Sequence, residues 1–517
     1  MVISRRAFLT GSASAAAVAF LAACTTDAPT PAPSTPGPTP TPSPTATATP
    51  TAGPAPSAFR RSSWADDPFA RGSGSYLTTS SSAADREALR RPVDDRVFFA
   101  GEATARTAPG TLGGARVSGF DVAEAVAAVA EPGERIAVVG AGMAGATAAR
   151  SLAGRGYDVV VVEARDRVGG RVATHTGDDW PFPVQMGAAS LDGEAAVALR
   201  AALALDRVAT VPLGDALEVR STAGQATSLG DVSARSLSAA AAWADDQAAA
   251  VTVGQAVTGA GVGPERQSLE PDSAGVSDAD RLLFVLDEAL PVRWGASADD
   301  LAERQDSGDV AAQAAADPDG LFPLGTPFVT GDLSAFVEAQ LDGLDVLPGS
   351  TVARVQYGDR GVGLRLATGE SLSVDRVVVT LPLGVLKEGT TEFSPELPTA
   401  HTAAVETLGV AQQEVLWLRF DERVWSTEAS VLTVVDGSST WRVFVNLFPA
   451  TGEPVMVALA GGDDAVASLE LSDDEALADA LAGLAPYLDL VPESSPAPGD
   501  PSSTDEPATG GAESPAA

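Results

Sequence analysis

The sequence predicts an α/β fold, because a strand, a glycine-rich turn, a helix and a second strand follow one another near residue 150. Residues 135–140 read RIAVVG and residues 158–163 read DVVVVE, and both runs are short, apolar and β-branched. An Ala-rich helical stretch separates them. About 430 residues have globular composition, which is more than one core usually holds, so we expect two interlocked domains.

Composition and charge exclude several kinds of site. The formal net charge of −36 argues against nucleic acid, since phosphate contacts need clustered Lys and Arg. The same acidity favours solubility, and it also raises the local concentration of cations. His175 and His401 are the only histidines, so no multi-histidine metal site is expected, and no GxSxG hydrolase motif accompanies them. The single cysteine, Cys24, excludes an intrachain disulfide.

The first 24 residues are typical of an export signal. Residues 4–9 (SRRAFL) precede an apolar Ala-rich stretch and resemble a twin-arginine signal. Residues 21–24 (LAAC) resemble a lipobox, which implies lipidation of Cys24. We therefore expect a lipid-anchored protein on the outer face of a bacterial cytoplasmic membrane or in the periplasm. The alternative is an ordinary N-terminal anchor helix.

Two segments of low complexity flank the globular part. Residues 25–57 are rich in Pro and Thr, and such a composition favours an extended stalk over a packed core. Residues 490–517 are rich in Pro, Ser, Gly and acidic residues, and they are predicted to form a disordered tail.

The central glycine turn has the spacing of a dinucleotide-binding fingerprint. Gly140 allows the tight turn, Gly142 lets the backbone approach a pyrophosphate, and Gly145 lets the helix lie close to the sheet. The N–H groups at the helix N-terminus stabilise the phosphates. Glu163 ends the second strand and is expected to accept hydrogen bonds from ribose hydroxyls. These features predict a Rossmann-like unit.

The residues that follow favour FAD over NAD. Residues 163–171 (EARDRVGGR) resemble the second glycine motif of FAD enzymes related to glutathione reductase. Residues 185–190 (QMGAAS) resemble the segment that comes next in the flavin-containing amine oxidases, the family of the monoamine oxidases, polyamine oxidases and histone demethylases. We therefore expect FAD as the cofactor.

Blocks upstream of the fingerprint resemble the C-terminal end of the same family. They are residues 64–76 (WADDPFARGSGSY), 96–104 (RVFFAGEAT) and 109–119 (PGTLGGARVSG). The resemblance resumes in residues 375–387 (DRVVVTLPLGVLK). The chain is thus identified as a circularly permuted member. The alternative is that residues 58–128 are a remnant or an independent module.

The resemblance implies an FAD-binding domain interleaved with a mixed α+β substrate domain. The predicted divisions are the signal at 1–24, the linker at 25–57, the permuted block at 58–128, the Rossmann unit at 129–194, substrate-domain parts at 195–335 and 396–489, the FAD-domain continuation at 336–395, and the tail at 490–517.

The family's chemistry is the oxidation of an amine. Hydride moves from the C–H beside nitrogen to flavin N5, the imine is hydrolysed, and dioxygen or another acceptor reoxidises the flavin. By resemblance, Tyr76 walls the substrate side, Trp64 lies near the isoalloxazine, and Thr111 takes the place of a second cage tyrosine, which favours larger or different amines. For Trp64 a core position is the alternative.

The resemblance also implies a non-covalent cofactor, because Ser75 stands where relatives with a covalent flavin carry cysteine. For Glu102 the alternative is a solvated turn residue. The residues predicted to bind the cofactor are Glu102, Thr111, Leu112, Gly140, Gly142, Met143, Ala144, Gly145, Glu163, Ala164, Arg165, Gly170, Arg171, Met186, Gly187, Ala188, Ala189 and Val352.

One departure concerns reoxidation. The family places a lysine before a V/L-x-L-x-F strand, and here that position reads Val415, preceded by Glu414. Lys387, the only lysine, belongs to another family position. The chain could therefore be a dehydrogenase or a weak oxidase. Two alternatives stay open: an L-amino acid oxidase or flavin desaturase, and a flavin-binding exported lipoprotein without turnover.

Overall fold

A computed structural model describes residues 54–191 and 193–488. The expected export signal with Cys24, the stalk up to residue 53 and the tail at 490–517 lie outside the described residues. Within the described ranges, every helix is too short or too polar to span a bilayer.

Short strands form several sheets. In chain order they are β1 Ala58–Arg61, β2 Gly74–Tyr76, β3 Val97–Phe99, β4 Arg135–Val139, β5 Asp158–Val162, β6 Thr174–His175, β7 Val184–Gln185, β8 Thr210–Pro212, β9 Leu217–Arg220, β10 Ala226–Thr227, β11 Arg304–Gln305, β12 Gly308–Asp309, β13 Pro327–Val329, β14 Asp345–Leu347, β15 Val352–Gly358, β16 Gly361–Leu366, β17 Ser371–Val374, β18 Arg376–Val379, β19 Glu392–Ser394, β20 Gly409–Ala411, β21 Gln413–Arg419, β22 Val431–Val434, β23 Val443–Asn446 and β24 Val455–Gly461.

Helices cover and connect these sheets. In chain order they are α1 Ala83–Arg90, α2 Leu112–Ala127, α3 Met143–Gly154, α4 Ala195–Leu205, α5 Gly230–Asp245, α6 Val253–Gly259, α7 Asp278–Phe284, α8 Leu290–Trp294, α9 Val310–Ala316, α10 Leu333–Gln340, α11 Leu383–Glu388, α12 Thr399–Thr407, α13 Phe448–Thr451, α14 Gly462–Leu469 and α15 Asp473–Leu484.

The sheet that carries the glycine turn is parallel. Its strand order is β14-β5-β4-β18-β3, and every adjacent pair runs in the same direction. The two predicted strands are its β4 and β5, and their apolar residues are buried because helices cover the sheet. Parallel strands bring their carboxyl ends to one edge, where ligands of such sheets bind.

A second sheet forms the other half of the structure. Its order is β1-β21-β24-β23-β22-β9-β10, and its pairs are antiparallel except β22 with β9. Trp417 on β21 is fully buried and contacts the rings of Trp180 and Phe328. The fold is therefore mixed α/β, with a parallel and a largely antiparallel layer.

Residues 58–128 are built into both sheets. Strand β1 pairs with β21 in the second sheet, and β3 pairs with β18 at the edge of the parallel sheet. Strand β2 pairs with β20. Helix α2 lies against α3, the helix of the glycine turn. These residues have no separate sheet, which excludes an independent module.

The contact of α2 with α3 requires glycine at position 119. A Cβ atom there would lie 2.5 Å from the Ala144 carbonyl oxygen and 2.8 Å from Thr147 Cβ. Alanine favours a helix interior over glycine by about 1 kcal/mol, but an inserted methyl group in a packed contact costs about 1–3 kcal/mol. We expect Gly119→Ala to lower the midpoint of thermal unfolding, measured by circular dichroism.

Gly154→Ala is the matched control, because Gly154 ends α3 and no other group lies within 4 Å of a Cβ there. This control should keep the wild-type midpoint or raise it slightly. An increase in midpoint for Gly119→Ala equal to that of the control would contradict the tight helix contact.

Candidate cofactor and substrate cavity

One cavity of about 1160 Å³ opens at the carboxyl ends of the parallel strands. Pockets for a single drug-sized ligand hold roughly 300–1,000 Å³, so this cavity can hold a large cofactor together with a small molecule. Its walls divide into a polar arm around the glycine turn and an apolar arm beside the second sheet. We call the part lined by Gly140, Gly142 and Glu163 the cofactor arm, and the part lined by Val292, Phe322 and Val445 the apolar arm.

The cofactor arm begins at two facing glycine turns. Gly142 forms a bridge with Gly169, and a Cβ on Gly170 would lie 3.2 Å from Gly142 Cα. Gly140 has φ +104°, which L side chains rarely adopt. Helix α3 starts without a side-chain cap, so no side chain of the protein occupies the N–H groups of its first turn. Such a helix start favours a phosphate.

Gly145 serves the packing of this turn and does not line the cavity. A Cβ at this position would lie 1.9 Å from the Gly140 carbonyl oxygen and 3.0 Å from Thr380 Oγ1. The third glycine of the fingerprint therefore lets the helix approach the strand that precedes it.

Glu163 lies at the far end of the cofactor arm. Its carboxylate accepts hydrogen bonds from the backbone N–H of Ala141 at 2.7 Å and of Arg165 at 2.9 Å. Each oxygen takes one bond and keeps a further lone pair, which can accept a ribose hydroxyl. The Arg165 side chain pairs with Asp67 at 2.5 Å, so residues 58–128 reach this end of the arm.

Glu102 is the polar centre of the cavity wall. It is buried, and it accepts bonds from Ser75 Oγ at 2.6 Å, from Gly110 N–H at 3.1 Å and from Arg171 Nη1 at 3.0 Å. Arg86 Nη1 in turn donates to Ser75 Oγ at 2.7 Å. This network joins the block ahead of the glycine turn to the segment behind it, and it rules out a solvated turn residue at position 102.

Trp64 is fixed at the cavity from two sides. Its Nε1–H donates to the Met186 carbonyl at 2.7 Å, and its backbone N–H donates to the Glu414 carboxylate at 2.6 Å. The ring edge lies against Gly187, where a Cβ would be 3.1 Å from Trp64 Cζ2. Although buried, Trp64 lines the cavity, so its position serves both the core and the site.

Glu414 is a buried carboxyl that also lines the cavity. Besides Trp64, it accepts bonds from the Ala65 N–H at 3.2 Å and from the Ser62 hydroxyl. Burial raises the pKa of Glu414 to about 7, against the lowering effect of these bonds. Val415, the next residue on β21, is half-buried and lines the cavity as well.

The apolar arm is lined in part by chain segments for which the sequence carries no motif, such as residues 321–324. Its walls come from α8, from the segment between α9 and the end of β13, and from strands of the second sheet. The apolar side chains that line it are Val292, Trp294, Leu321, Phe322, Leu324, Phe328, Val415, Val445 and Leu459.

Most of the residues predicted from the sequence meet at this cavity. Those that line it are Trp64, Glu102, Thr111, Leu112, Gly140, Gly142, Met143, Ala144, Glu163, Ala164, Arg165, Gly170, Arg171, Met186, Gly187, Ala188, Ala189 and Val352. Thr111 also caps α2, since its side chain accepts from Gly114 N–H at 3.0 Å.

Tyr76 is the exception among the predicted catalytic residues, because it is absent from the lining. Its ring lies over Gly409, where a Cβ would be 2.4 Å from Tyr76 Cζ. Alternate residues of a strand share a face, and on this face of β2 it is Gly74 that reaches the cavity. The catalytic role given to Tyr76 stays a prediction.

Sequence reasoning also missed Arg86 and Asp306. Arg86 Nε donates to Asp306 at 2.7 Å, and both residues line the cavity. Arg86 lies on α1, which carries no recognisable motif. The only sequence signal for Arg86 is that an arginine lies on the buried face of an amphipathic helix.

The raised pKa of Glu414 gives stability a dependence on pH. Between its usual value of 4.5 and about 7, only the unfolded chain ionises this carboxyl, so folding loses stability as pH rises through this window. The wild type should lose on the order of 2–3 kcal/mol in its free energy of unfolding across this window, and Glu414→Gln should abolish this loss. Unfolding midpoints of the holoprotein, measured from pH 4.5 to 8, test it.

Glu422→Gln is the control, because Glu422 is exposed on the loop after β21. Its midpoints should run parallel to those of the wild type. Parallel curves for Glu414→Gln as well would show that Glu414 does not titrate in this window.

Comparison with known proteins identifies the family. The family model for flavin containing amine oxidoreductases matches residues 45–127 and 143–507. Polyamine oxidase 2 of Arabidopsis thaliana is 28% identical over 357 residues, which are 66% of this chain and 70% of that protein. Lysine-specific histone demethylase 1 homolog 2 of the same plant is 30% identical over 351 residues, 64% of this chain and 44% of that protein.

Solved structures share the fold. Cyclohexylamine oxidase from Brevibacterium oxydans IH-35A superposes with a TM-score of 0.53 at 18% identity. The superposition covers 69% of this chain and 82% of the oxidase chain. Putrescine oxidase bound to putrescine gives a TM-score of 0.51 at 20% identity, and the superposition covers 69% of this chain and 81% of that chain. Family model, relatives and fold agree: the chain belongs to the flavin-containing amine oxidoreductases and is an enzyme of that family.

Proposed function

We propose that this protein oxidises an amine with non-covalently bound FAD. The observation that carries the proposal is the single cavity in which the glycine turns and Glu163 open into an apolar arm. The cofactor arm offers what a dinucleotide needs: two glycine turns for close approach, a helix N-terminus without a side-chain cap and a carboxylate for ribose. We infer a Rossmann-like FAD domain of the glutathione reductase type.

The bound flavin would accept a hydride equivalent from the carbon beside the amine nitrogen, and the imine would then be hydrolysed. The chain's own residues bind, orient and exclude water. The apolar arm disfavours an ammonium, so it lowers the pKa of the amine and favours the neutral, reactive form. Trp64 and Thr111 both line the cavity, and we propose that they position the amine beside the ring.

Non-covalent binding is supported by the chemistry of the wall. Ser75, at the position of the family's linking cysteine, donates its hydroxyl to Glu102, and the chain's only cysteine is Cys24. A serine hydroxyl held in this way is not expected to form a covalent bond with a flavin. We propose that Glu102, Arg171 and the start of α2 hold the cofactor near this point.

We also propose that the chain is circularly permuted within its family, with the divisions set out above. Three side-chain contacts support this proposal, because they join residues 58–128 to the segment behind the glycine turn. They are Glu102 with Arg171, Asp67 with Arg165, and Trp64 with the Met186 carbonyl.

Export by the twin-arginine route and a lipid anchor at Cys24 complete the proposal. They rest on residues 4–9 and 21–24 of the sequence. The twin-arginine route suits an enzyme that folds around its cofactor before export.

Purified protein should be yellow, and an amine should bleach its flavin absorbance when oxygen is excluded. Acid precipitation should release the whole flavin into the supernatant, because no cysteine is available to hold it. If no amine or amino acid in a panel bleached the flavin, the protein would be a flavin-binding protein without turnover. Flavin retained in the acid pellet would contradict non-covalent binding.

Reoxidation by dioxygen should be slow, because no lysine lines the cavity. Lys387 donates to the Glu406 carbonyl at 2.8 Å and is absent from the lining. We expect Val415→Lys to accelerate reoxidation by about tenfold or more, since a cation near the reduced flavin stabilises developing negative charge. Stopped-flow mixing of the reduced protein with oxygenated buffer measures it.

Val415→Met is the control, since methionine has similar length without charge. Equal reoxidation rates for the two variants would show that charge at this position is irrelevant. Rapid reoxidation of the wild type would show that the chain is an oxidase without the family lysine.

A further inference from the structure

Arg71 reaches the cavity from a strained position of the backbone. Its φ is +55°, in the left-handed region that residues other than glycine seldom occupy. The residue is half-buried and lines the cavity. Strained residues persist where the surrounding structure holds them, and they cluster at ligand sites. The backbone therefore indicates a function for this side chain.

The Arg71 side chain is a cation without a protein partner. Its Nε atom is buried and takes part in no hydrogen bond, and no residue in the described part of the chain forms an ion pair with its guanidinium. A buried polar atom without a partner is costly, and the cost is larger for a charged group. An anionic ligand in the cavity would satisfy both the charge and the N–H group.

The arginines of the second glycine turn are engaged within the protein. Arg165 pairs with Asp67 at 2.5 Å, and Arg171 pairs with Glu102 at 3.0 Å. Arg167 donates to three backbone carbonyls of its own turn. These three side chains shape the turn, whereas the positive charge of Arg71 is available to a ligand.

The chain before Arg71 follows the cofactor arm. The Phe69 ring lies 5.5 Å from the guanidinium of Arg165, the partner of Asp67. The backbone N–H of Arg71 donates to the Asp67 carbonyl at 2.9 Å, which closes this turn. Arg165 itself comes two residues after Glu163, the carboxylate proposed for ribose. The turn that ends at Arg71 therefore starts at the ribose end of the arm.

The other side of Arg71 lies against the segment that follows β18. A Cβ on Gly384 would lie 2.5 Å from the Arg71 carbonyl oxygen and 2.6 Å from Arg71 Cβ. Thr380, four residues earlier, lies at the first glycine turn, since a Cβ on Gly140 would be 2.4 Å from its Oγ1. Arg71 is thus placed between the ribose end and the glycine turn, where the pyrophosphate of a dinucleotide lies in such folds.

We infer that Arg71 is a cofactor-binding residue whose guanidinium meets the pyrophosphate of the bound dinucleotide. The inference rests on the proposed function, since the dinucleotide is the FAD of that proposal. A planar guanidinium donates two parallel bonds to phosphate oxygens. It adds a full charge to the partial positive charge at the start of α3. In a chain with a formal net charge of −36, such a local cation helps to hold a dianion.

Arg71→Gln tests the contact, because glutamine is polar but carries no charge. Release of FAD from the loaded protein after dilution, followed by flavin fluorescence, measures the dissociation constant. We expect this constant to rise about 10-fold to 100-fold, since a charged hydrogen bond to phosphate is lost. The reduction potential of the flavin should stay at the wild-type value, because the pyrophosphate is remote from the ring.

Two further variants separate charge from structure. Arg365→Gln is the matched control, since Arg365 is exposed on β16, does not line the cavity and changes the net charge equally. Its dissociation constant for FAD should equal that of the wild type. Arg71→Lys keeps the charge without the planar fork, so its constant should lie within about tenfold of the wild type.

An unchanged dissociation constant for Arg71→Gln would overturn the inference. A shifted reduction potential would place Arg71 beside the isoalloxazine and would overturn the assignment to the pyrophosphate. Equal losses for Arg71→Lys and Arg71→Gln would contradict the charge basis. If the glutamine variant does not fold, the lysine variant decides, because a loss of more than about tenfold in folded Arg71→Lys overturns the inference. All these outcomes leave the proposed amine oxidation intact, whereas wild-type protein that binds no flavin contradicts it.

Discussion

The bonds around Glu102 hold this structure's site together. The carboxylate joins β2 through Ser75, the turn before α2 through Gly110, and the segment behind the glycine turn through Arg171. Arg86 supports Ser75 from α1. Because a buried carboxylate needs such partners, the network fixes three chain segments in one arrangement, and the cavity exists only where they meet.

The sequence predicted the parallel part of the fold well, because local patterns determine it. Two runs of β-branched residues around a glycine turn leave few alternatives, and β4, α3 and β5 follow that pattern. The place of residues 58–128 in the fold could be inferred only from the family resemblance. Short strands such as β2 and β3 carry too weak a sequence pattern to be predicted alone.

The site was harder to predict where tertiary contacts decide it. Tyr76 and Gly74 share one face of a strand, and the sequence does not tell which of them reaches the cavity. Leu321, Phe322 and Leu324 have no motif, because an apolar wall can be built from any apolar residues of suitable size. Glycines, acids and arginines at fixed spacing were predictable, since phosphate and ribose demand particular groups.

The edge position of β3 has a consequence for synthesis. This strand leaves the ribosome early, yet its partner β18 follows about 280 residues later, and such distant pairing is slow. Until then its open side is exposed to other chains, a known route to aggregation. Cellular folding of this enzyme therefore depends on keeping β3 out of wrong pairings until β18 has been synthesised.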